Sequence, residues 1–240
     1  MPHKTGMTSA IILAGGLGTR LRSVVSDLPK SMAPIAGRPF LEYQLDYWIN
    51  QGVDHFLLAV GYQHESITAH FGRNYRGHSI DYVIESTPKG TGGAFLLAAQ
   101  HLSPTSPFLL LNGDTYFSID LDVLRNFSLS RKADWSFSLL RNPDKSRYMG
   151  IETTDEDQVT QLQSSPSQLI NGGVYWIRPS FLQKLSFPAD KPISLENEIL
   201  PLALYSNLRL FGLEFSAPFI DIGIPADYSR AQSELPNLIR

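Results

Sequence analysis

The chain has 240 residues, 42% hydrophobic and 18% charged, with a formal net charge of -3 and no cysteine. That length supports one sizeable core in a soluble globular protein. The missing thiols exclude disulfides, zinc–thiolate sites and cysteine nucleophiles, and the mild acidity argues against a general nucleic-acid surface while allowing a local basic pocket.

Met1 to Thr8 is polar, and the apolar run Ala10–Leu13 then reads as a buried strand. The run is far too short for a membrane span and no cleavage-site pattern follows it, so a cytoplasmic setting is expected. Pro39 suits the first turn of a helix that carries Leu41, Leu45 and Trp48 on its inner face. His55–Val60 reads as a second strand, His64–Phe71 as a short helix, Ser79–Ile84 as an alternating strand and Gly93–His101 as a helix. Phe108–Leu111 is a further continuous apolar strand. Strands alternating with helices predict an α/β fold with a mostly parallel central sheet flanked by helices. Ligands in such sheets bind beyond the carboxyl ends of the strands. The second half reads as strands at Trp135–Leu140, Met149–Thr153, Val159–Leu162 and Gly173–Ile177, some of them antiparallel. Helices are expected over Leu195–Tyr205 and Ala226–Leu235. No linker, internal repeat or low-complexity tract interrupts the chain, so 1–240 is expected to form a single domain.

Gly15, Gly16 and Gly18 follow the first strand directly. Glycines there let backbone N–H groups approach phosphates. Arg20 suits a bidentate phosphate contact, and Lys30 acts more as a point charge. Taken alone, these residues fit a tight strand-to-helix turn with two solvated cations equally well, since glycine-rich loops are common by chance. No Walker-type loop is present, and Leu21 stands where a dinucleotide fingerprint needs its third glycine. Asp114 closes a buried strand in Asn112-Gly-Asp114, and Asp221 lies in Phe219-Ile-Asp-Ile-Gly223. Either aspartate alone reads more readily as a turn or cap residue. His64 and His70 would fall on different helix faces, and no H-E-x-x-H occurs, so the histidines supply no metal site.

The longer pattern is more specific. Leu13-Ala-Gly-Gly-Leu-Gly-Thr-Arg-Leu21, with Pro29-Lys30 after it, resembles the signature of sugar-1-phosphate nucleotidyltransferases. The resemblance runs on in family order through Gly37-Arg-Pro39, Gly61-Tyr62, Pro88-Lys-Gly-Thr-Gly-Gly-Ala94, Asn112-Gly-Asp114, Asn171-Gly-Gly173 and Phe219–Gly223. It implies a Rossmann-like sheet with an antiparallel substrate-side subregion, the nucleotide half within 8–125 and the sugar-phosphate half within 126–240. It also implies that Leu13, Ala14, Gly15, Gly16, Gly18 and Thr19 bind the nucleotide, together with Glu85, Pro88, Gly90 and Thr91. By the same resemblance Arg20, Lys30 and Asp114 are catalytic, and Asp114 and Asp221 hold Mg²⁺ between the nucleotide and the sugar phosphate. Gly150, Asn171, Gly172 and Glu196 match sugar-contacting positions. The implied partners are GTP and a sugar 1-phosphate, with no nucleic acid and no membrane, and a homodimer is left open.

Glu85 stands where relatives using thymidine or uridine nucleotides carry Gln. An ionised carboxylate only accepts hydrogen bonds, and guanine offers two adjacent donors on its pairing edge, so Glu85 favours GTP. Read without the resemblance, Glu85 fits an exposed residue at a strand end equally well. Glu196 likewise suits a helix start, where acids complement the dipole. Many relatives carry Glu-Lys before the Asn171 segment, whereas this chain reads Gln163-Ser-Ser-Pro166. Either another cation, such as Lys145 or Arg147, then serves the sugar phosphate, or sugar-phosphate binding is weaker. The overall pattern is most similar to guanylyltransferases acting on D-glycero-D-manno-heptose 1-phosphate or modified heptoses for surface polysaccharides. Mannose 1-phosphate, a uridylyl or thymidylyl transfer, and a non-catalytic nucleotide-sugar-binding regulator remain alternatives. A glycosyltransferase would need a D-x-D metal motif, but Asp120-Leu-Asp122 reads better as a helix start. The basic stretch Arg73–Arg76 reads as a solvated loop, and Trp48, Trp135 and Trp176 as packing.

Overall fold

The computed structural model describes residues 7–16, 21, 25, 27–141, 148–163, 167–184 and 191–238. In chain order the first half holds β1 (Ser9–Leu13), β2 (Pro34–Ile35), β3 (Arg38–Pro39), α1 (Phe40–Asn50), β4 (His55–Val60), α2 (His64–Phe71), β5 (Asn74–Tyr75) and β6 (His78–Ile84). It continues with α3 (Gly90–Ala99), β7 (Phe108–Asn112), β8 (Thr115–Phe117) and α4 (Leu121–Arg131). The second half holds β9 (Trp135–Arg141), β10 (Gly150–Thr153), β11 (Val159–Gln163), β12 (Leu169–Ile177), α5 (Leu200–Tyr205), β13 (Leu210–Glu214), β14 (Phe219–Asp221) and α6 (Pro225–Leu238).

Ten of the strands form one mixed sheet in the order β11-β10-β12-β7-β1-β4-β6-β5, with β9 pairing β12 and β13, while β8 with β14 and β2 with β3 form two-stranded ribbons. β7, β1, β4 and β6 run parallel. β12 is antiparallel to β7, β9 and β10. β7, β1 and β4 are continuous apolar runs because both faces are covered, whereas β6 alternates buried and exposed residues. α1, α2 and α4 supply Leu41, Trp48, Ile67 and Leu124 to one apolar layer. α3 and α5 supply Phe95, Ala98 and Leu200 to the other, where Trp135, Phe137 and Tyr175 pack edge-on or stacked. Trp48 and Trp135 are buried as expected. Trp176 is half-buried, with the Arg125 guanidinium 4.9 Å from its ring centre. No helix among the described residues is long and apolar enough to cross a membrane.

Several elements differ from the sequence reading, for local reasons. α3 begins at Gly90 rather than Gly93, because Ile193 O accepts the Gly92 and Gly93 N–H groups at 2.8 and 3.2 Å. That tertiary partner outweighs the poor helix propensity of glycine. The expected helix over 195–205 divides into a π turn, Leu195–Ile199, and α5. Pro201 lacks the N–H that would bond to Asn197 O and crowds that carbonyl, so the ladder loosens just ahead of it. The Arg73–Arg76 stretch is not all loop, since Asn74 and Tyr75 pair with Ser79 and His78. Asp120 caps α4 by accepting the Val123 N–H at 3.0 Å, which accounts for the D-x-D sequence without a metal.

Candidate active site

The carboxyl ends of β1, β4, β6 and β7 open into a cavity of about 1300 Å³. Pockets for a single small ligand span roughly 300–1,000 Å³, so the cavity exceeds what one small ligand fills. Leu13, Ala14, Gly15 and Gly16 border it. The Ala14 N–H donates to Ala59 O at 2.8 Å, which draws the loop onto β4. A Cβ on Gly15 would lie 3.2 Å from both Glu85 Oε1 and the Gly61 nitrogen, whereas one on Gly16 would meet nothing within 4 Å. Gly15 therefore permits close packing and Gly16 faces the open cavity. Gly18, Thr19 and Arg20 lie outside the described residues.

Charge converges at the foot of the cavity. Lys30 opens a short 3₁₀ turn after Pro29, and its Nζ donates to Asp114 Oδ2 and lies 3.7 Å from Asp221 Oδ1. The two aspartates are brought together by a ribbon of only three pairs, β8 with β14, in which Asp221 faces Thr115. The Ile222 N–H donates to Asp114 O at 3.0 Å, and the Gly223 N–H donates to Asp221 Oδ1 at 2.7 Å. From beneath, Gln44 Nε2 donates to Asn112 O at 2.8 Å and Thr115 O at 2.5 Å, clasping the turn that carries Asp114. The Gly113 N–H donates to Leu13 O at 3.1 Å and ties the same turn to β1.

This donor set fits a hard divalent cation. Among the described residues no group of three His, Cys, Asp or Glu converges. Two carboxylates that leave positions for water and phosphate oxygens are what Mg²⁺ commonly uses. Lys30 occupies the same electrostatic focus and compensates the pair.

Glu85 stands at one end, just beyond β6. Its N–H donates to Val60 O at 2.9 Å, and its Oε2 accepts the Lys89 N–H at 2.7 Å. Burial pushes its carboxyl above the ordinary value, opposed by the Lys89 amide and charge. Pro88, Gly90 and Thr91 continue this wall.

Asn171 and Glu196 also border the cavity, and Glu196 meets the same wall through the Thr91 hydroxyl. Between Asn171 and Tyr175 the pairing of β12 with β9 shifts register, and Gly173 takes a φ of +71°. Such bulges re-aim side chains next to binding sites. Asn171 Nδ2 donates to the Tyr175 hydroxyl at 2.6 Å, and its Oδ1 accepts the Gly173 N–H at 3.1 Å. Burial, then the nearby Glu196 charge, pushes the Tyr175 phenol far up and keeps it neutral. Gly150 and Gly172 do not border the cavity. Gly150 pairs within the sheet against Gln163 and Ile170. A Cβ on Gly172 would fall 2.5 Å from the Phe117 ring, so that glycine serves packing. Tyr148, Met149, Asn197 and Phe219 border the cavity without having been singled out in the sequence. Phe219 lies in a quoted motif, and Asn197 adjoins Glu196, whereas Tyr148 and Met149 carry no pattern. Lys145, Arg147 and Ser164–Pro166 lie outside the described residues.

A mixed α/β sheet whose parallel strands end at one large cleft, with two carboxylates meeting Lys30 at its foot, defines the class. The chain belongs to the nucleotidyl transferase family, whose model, described as Nucleotidyl transferase, matches residues 9–237. It is 42% identical over 238 residues to the D-glycero-alpha-D-manno-heptose 1-phosphate guanylyltransferase of Aneurinibacillus thermoaerophilus, covering 96% of this chain and 99% of that one. It is 36% identical to the protein of the same name from Campylobacter jejuni, covering 91% and 96%. The crystal structure of HddC from Yersinia pseudotuberculosis matches with a TM-score of 0.83 at 34% identity, covering 95% of this chain and 99% of that one. The structure of HddC complexed with GMP-PN matches with a TM-score of 0.81 over the same shares of the two chains, also at 34% identity.

Proposed function

We propose that this chain transfers a guanylyl group from GTP to D-glycero-D-manno-heptose 1-phosphate or a modified heptose 1-phosphate, giving a GDP-heptose and pyrophosphate. The observation that carries the reading is the meeting of Lys30, Asp114 and Asp221 at the foot of a cavity whose other end presents Glu85. The likeness to two heptose 1-phosphate guanylyltransferases over nearly their full length supports the heptose. The likeness to HddC complexed with GMP-PN supports the guanine.

The sugar-phosphate oxygen is already anionic, so the attack requires no general base. It forms a bond to the α-phosphorus of GTP, and the bond to the pyrophosphate oxygen breaks. Catalysis is then positioning plus charge neutralisation. Lys30 neutralises charge on the α-phosphate and the leaving pyrophosphate, and Arg20 is assigned the same task from the family resemblance. Asp114 and Asp221 would hold Mg²⁺, which supplies further neutralisation of phosphate oxygens when bound. Glu85 accepts the guanine N1–H and N2–H. Incubating the protein with GTP, Mg²⁺ and D-glycero-D-manno-heptose 1-phosphate should yield GDP-heptose by phosphorus NMR. Unchanged substrates, or GTP hydrolysis alone, would overturn the assignment.

A further inference from the structure

The segment Gly90–Gly93 reads in sequence as part of the nucleotide wall, yet most of its contacts run the other way. Ile193 O accepts the Gly92 and Gly93 N–H groups, and the Ile193 N–H donates to Lys89 O at 2.8 Å. A Cβ on Gly90 would lie 2.5 Å from Ile193 O, and Gly90 also has a φ of +73°. A Cβ on Gly92 would lie 2.8 Å from Ile199 Cδ1 and 3.0 Å from Ile193 O. These glycines let the backbone ahead of the π turn seat directly on the first turn of α3. Side chains at those two positions would hold the two segments apart.

Thr91 lies between these two glycines, and its hydroxyl is used twice. Oγ1 accepts the Leu195 N–H at 2.9 Å and donates to Glu196 Oε2 at 3.2 Å. Ser194 Oγ lies 3.5 Å from the same carboxylate oxygen and also caps the turn by accepting the Asn197 N–H at 3.1 Å. The Glu196 carboxylate is thereby aimed from the nucleotide side of the cleft. Glu85 joins the same run of hydrogen bonds through the Lys89 N–H. The backbone from Glu85 to Glu196 is thus bridged at Lys89, Ile193 and Leu195.

We propose that Thr91 is a positioning residue for the sugar substrate: it fixes Glu196 against the sugar while making no required contact of its own with the nucleotide. This rests on the proposed transferase reading and deepens it by assigning the seam, rather than the cavity wall alone, to sugar recognition. Thr91→Val keeps the shape and removes both hydrogen bonds. Thr91→Ser keeps both bonds and removes a methyl group.

The test is steady-state kinetics on the full chain with GTP and heptose 1-phosphate, varied one at a time. Thr91→Val should raise KM for the sugar phosphate on the order of tenfold, a change of about 1.4 kcal/mol, and leave KM for GTP within about twofold, since one charge-assisted hydrogen bond is at stake. Thr91→Ser should restore the wild-type value. In a Glu196→Ala background, Thr91→Val should add nothing, because a residue acting only through another loses its effect with it. A parallel rise in both KM values, no rise in either, failure of the serine rescue, or additive effects in the double variant would each overturn the proposal. An inactive wild-type chain would overturn the transferase reading instead. In that case the Thr91 assignment is judged by calorimetric titration of heptose 1-phosphate into wild type and Thr91→Val. A weaker Kd in the variant supports it, and equal Kd values or no binding to wild type overturn it.

Discussion

Replacing Glu85 by Gln probes base selection with almost no change of shape. Glu85 Oε2 is engaged by the Lys89 N–H at 2.7 Å, and Oε1 faces Gly15, where an added Cβ would lie 3.2 Å away. The carboxylate accepts at both oxygens, so it can serve Lys89 and both guanine donors together. A glutamine amide has one oxygen. Its NH₂ group must then face either Lys89 N–H or a guanine N–H, donor against donor. A hydrogen bond to a charged group contributes about 1.5–3 kcal/mol. At about 1.4 kcal/mol per factor of ten, Glu85→Gln should lower kcat/KM for GTP by roughly 10- to 100-fold. The same amide offers uracil one donor and one acceptor, so kcat/KM for UTP should hold or rise. The assay is pyrophosphate release with each nucleotide at saturating sugar phosphate. A GTP-to-UTP preference within about twofold of wild type would refute the reasoning and move base recognition to other groups.

Other expectations follow from the same geometry. Lys30→Ala and Asp114→Asn should each lower turnover by roughly 10²- to 10³-fold, the usual scale for removing one charge-stabilising group, while circular dichroism remains native. Wild-type-like turnover in either variant would remove that residue from the mechanism. Gly113→Ala places a Cβ 2.3 Å from Leu13 O and 3.0 Å from Ala14 Cα, both backbone atoms that cannot rotate away. Overpacking of this kind costs about 1–3 kcal/mol, or about 2–12 °C in Tm at this chain length, and an unchanged melting temperature would contradict it. Burial raises the Glu85 carboxyl, so its ionisation opposes folding. Stability from the protonated form is complete below the unfolded value of about 4.3 and is lost as pH rises through the higher folded value. The Tm of Glu85→Gln relative to wild type should therefore rise across that window and level off above it. A Tm difference that is flat with pH would contradict the raised value.

The parts of the fold that were legible in sequence share one property: a long apolar run or a sustained period. The strands at Ala10, His55 and Phe108 and the helix after Pro39 announce themselves because each buries two faces or one full stripe. β8 and β14 do not, since three residues are too few to show a period and their pairing joins Thr115 with Asp221 across a long stretch of chain. Yet that ribbon is what makes two aspartates one site. Gln44 gave no sign either, because a polar residue on a helix face reads as solvated until the carbonyls of Asn112 and Thr115 are seen beneath it. The glycines divide in a way that sequence cannot show. Gly16 borders open space, Gly172 packs on Phe117, and Gly90 and Gly92 seat the π turn.

In the proposed reaction, Glu85 and the Lys30–Asp114–Asp221 cluster are the two ends of one guanylyl-transfer site. Pyrophosphate release, measured for the four ribonucleoside triphosphates against heptose, mannose and glucose 1-phosphates, tests it most directly. GTP with D-glycero-D-manno-heptose 1-phosphate or a modified heptose 1-phosphate should give the highest kcat/KM, and Asp114→Asn should lose that signal. A preference for UTP or dTTP, or no sugar-phosphate-dependent release in any cell of the grid, would contradict the proposed reaction.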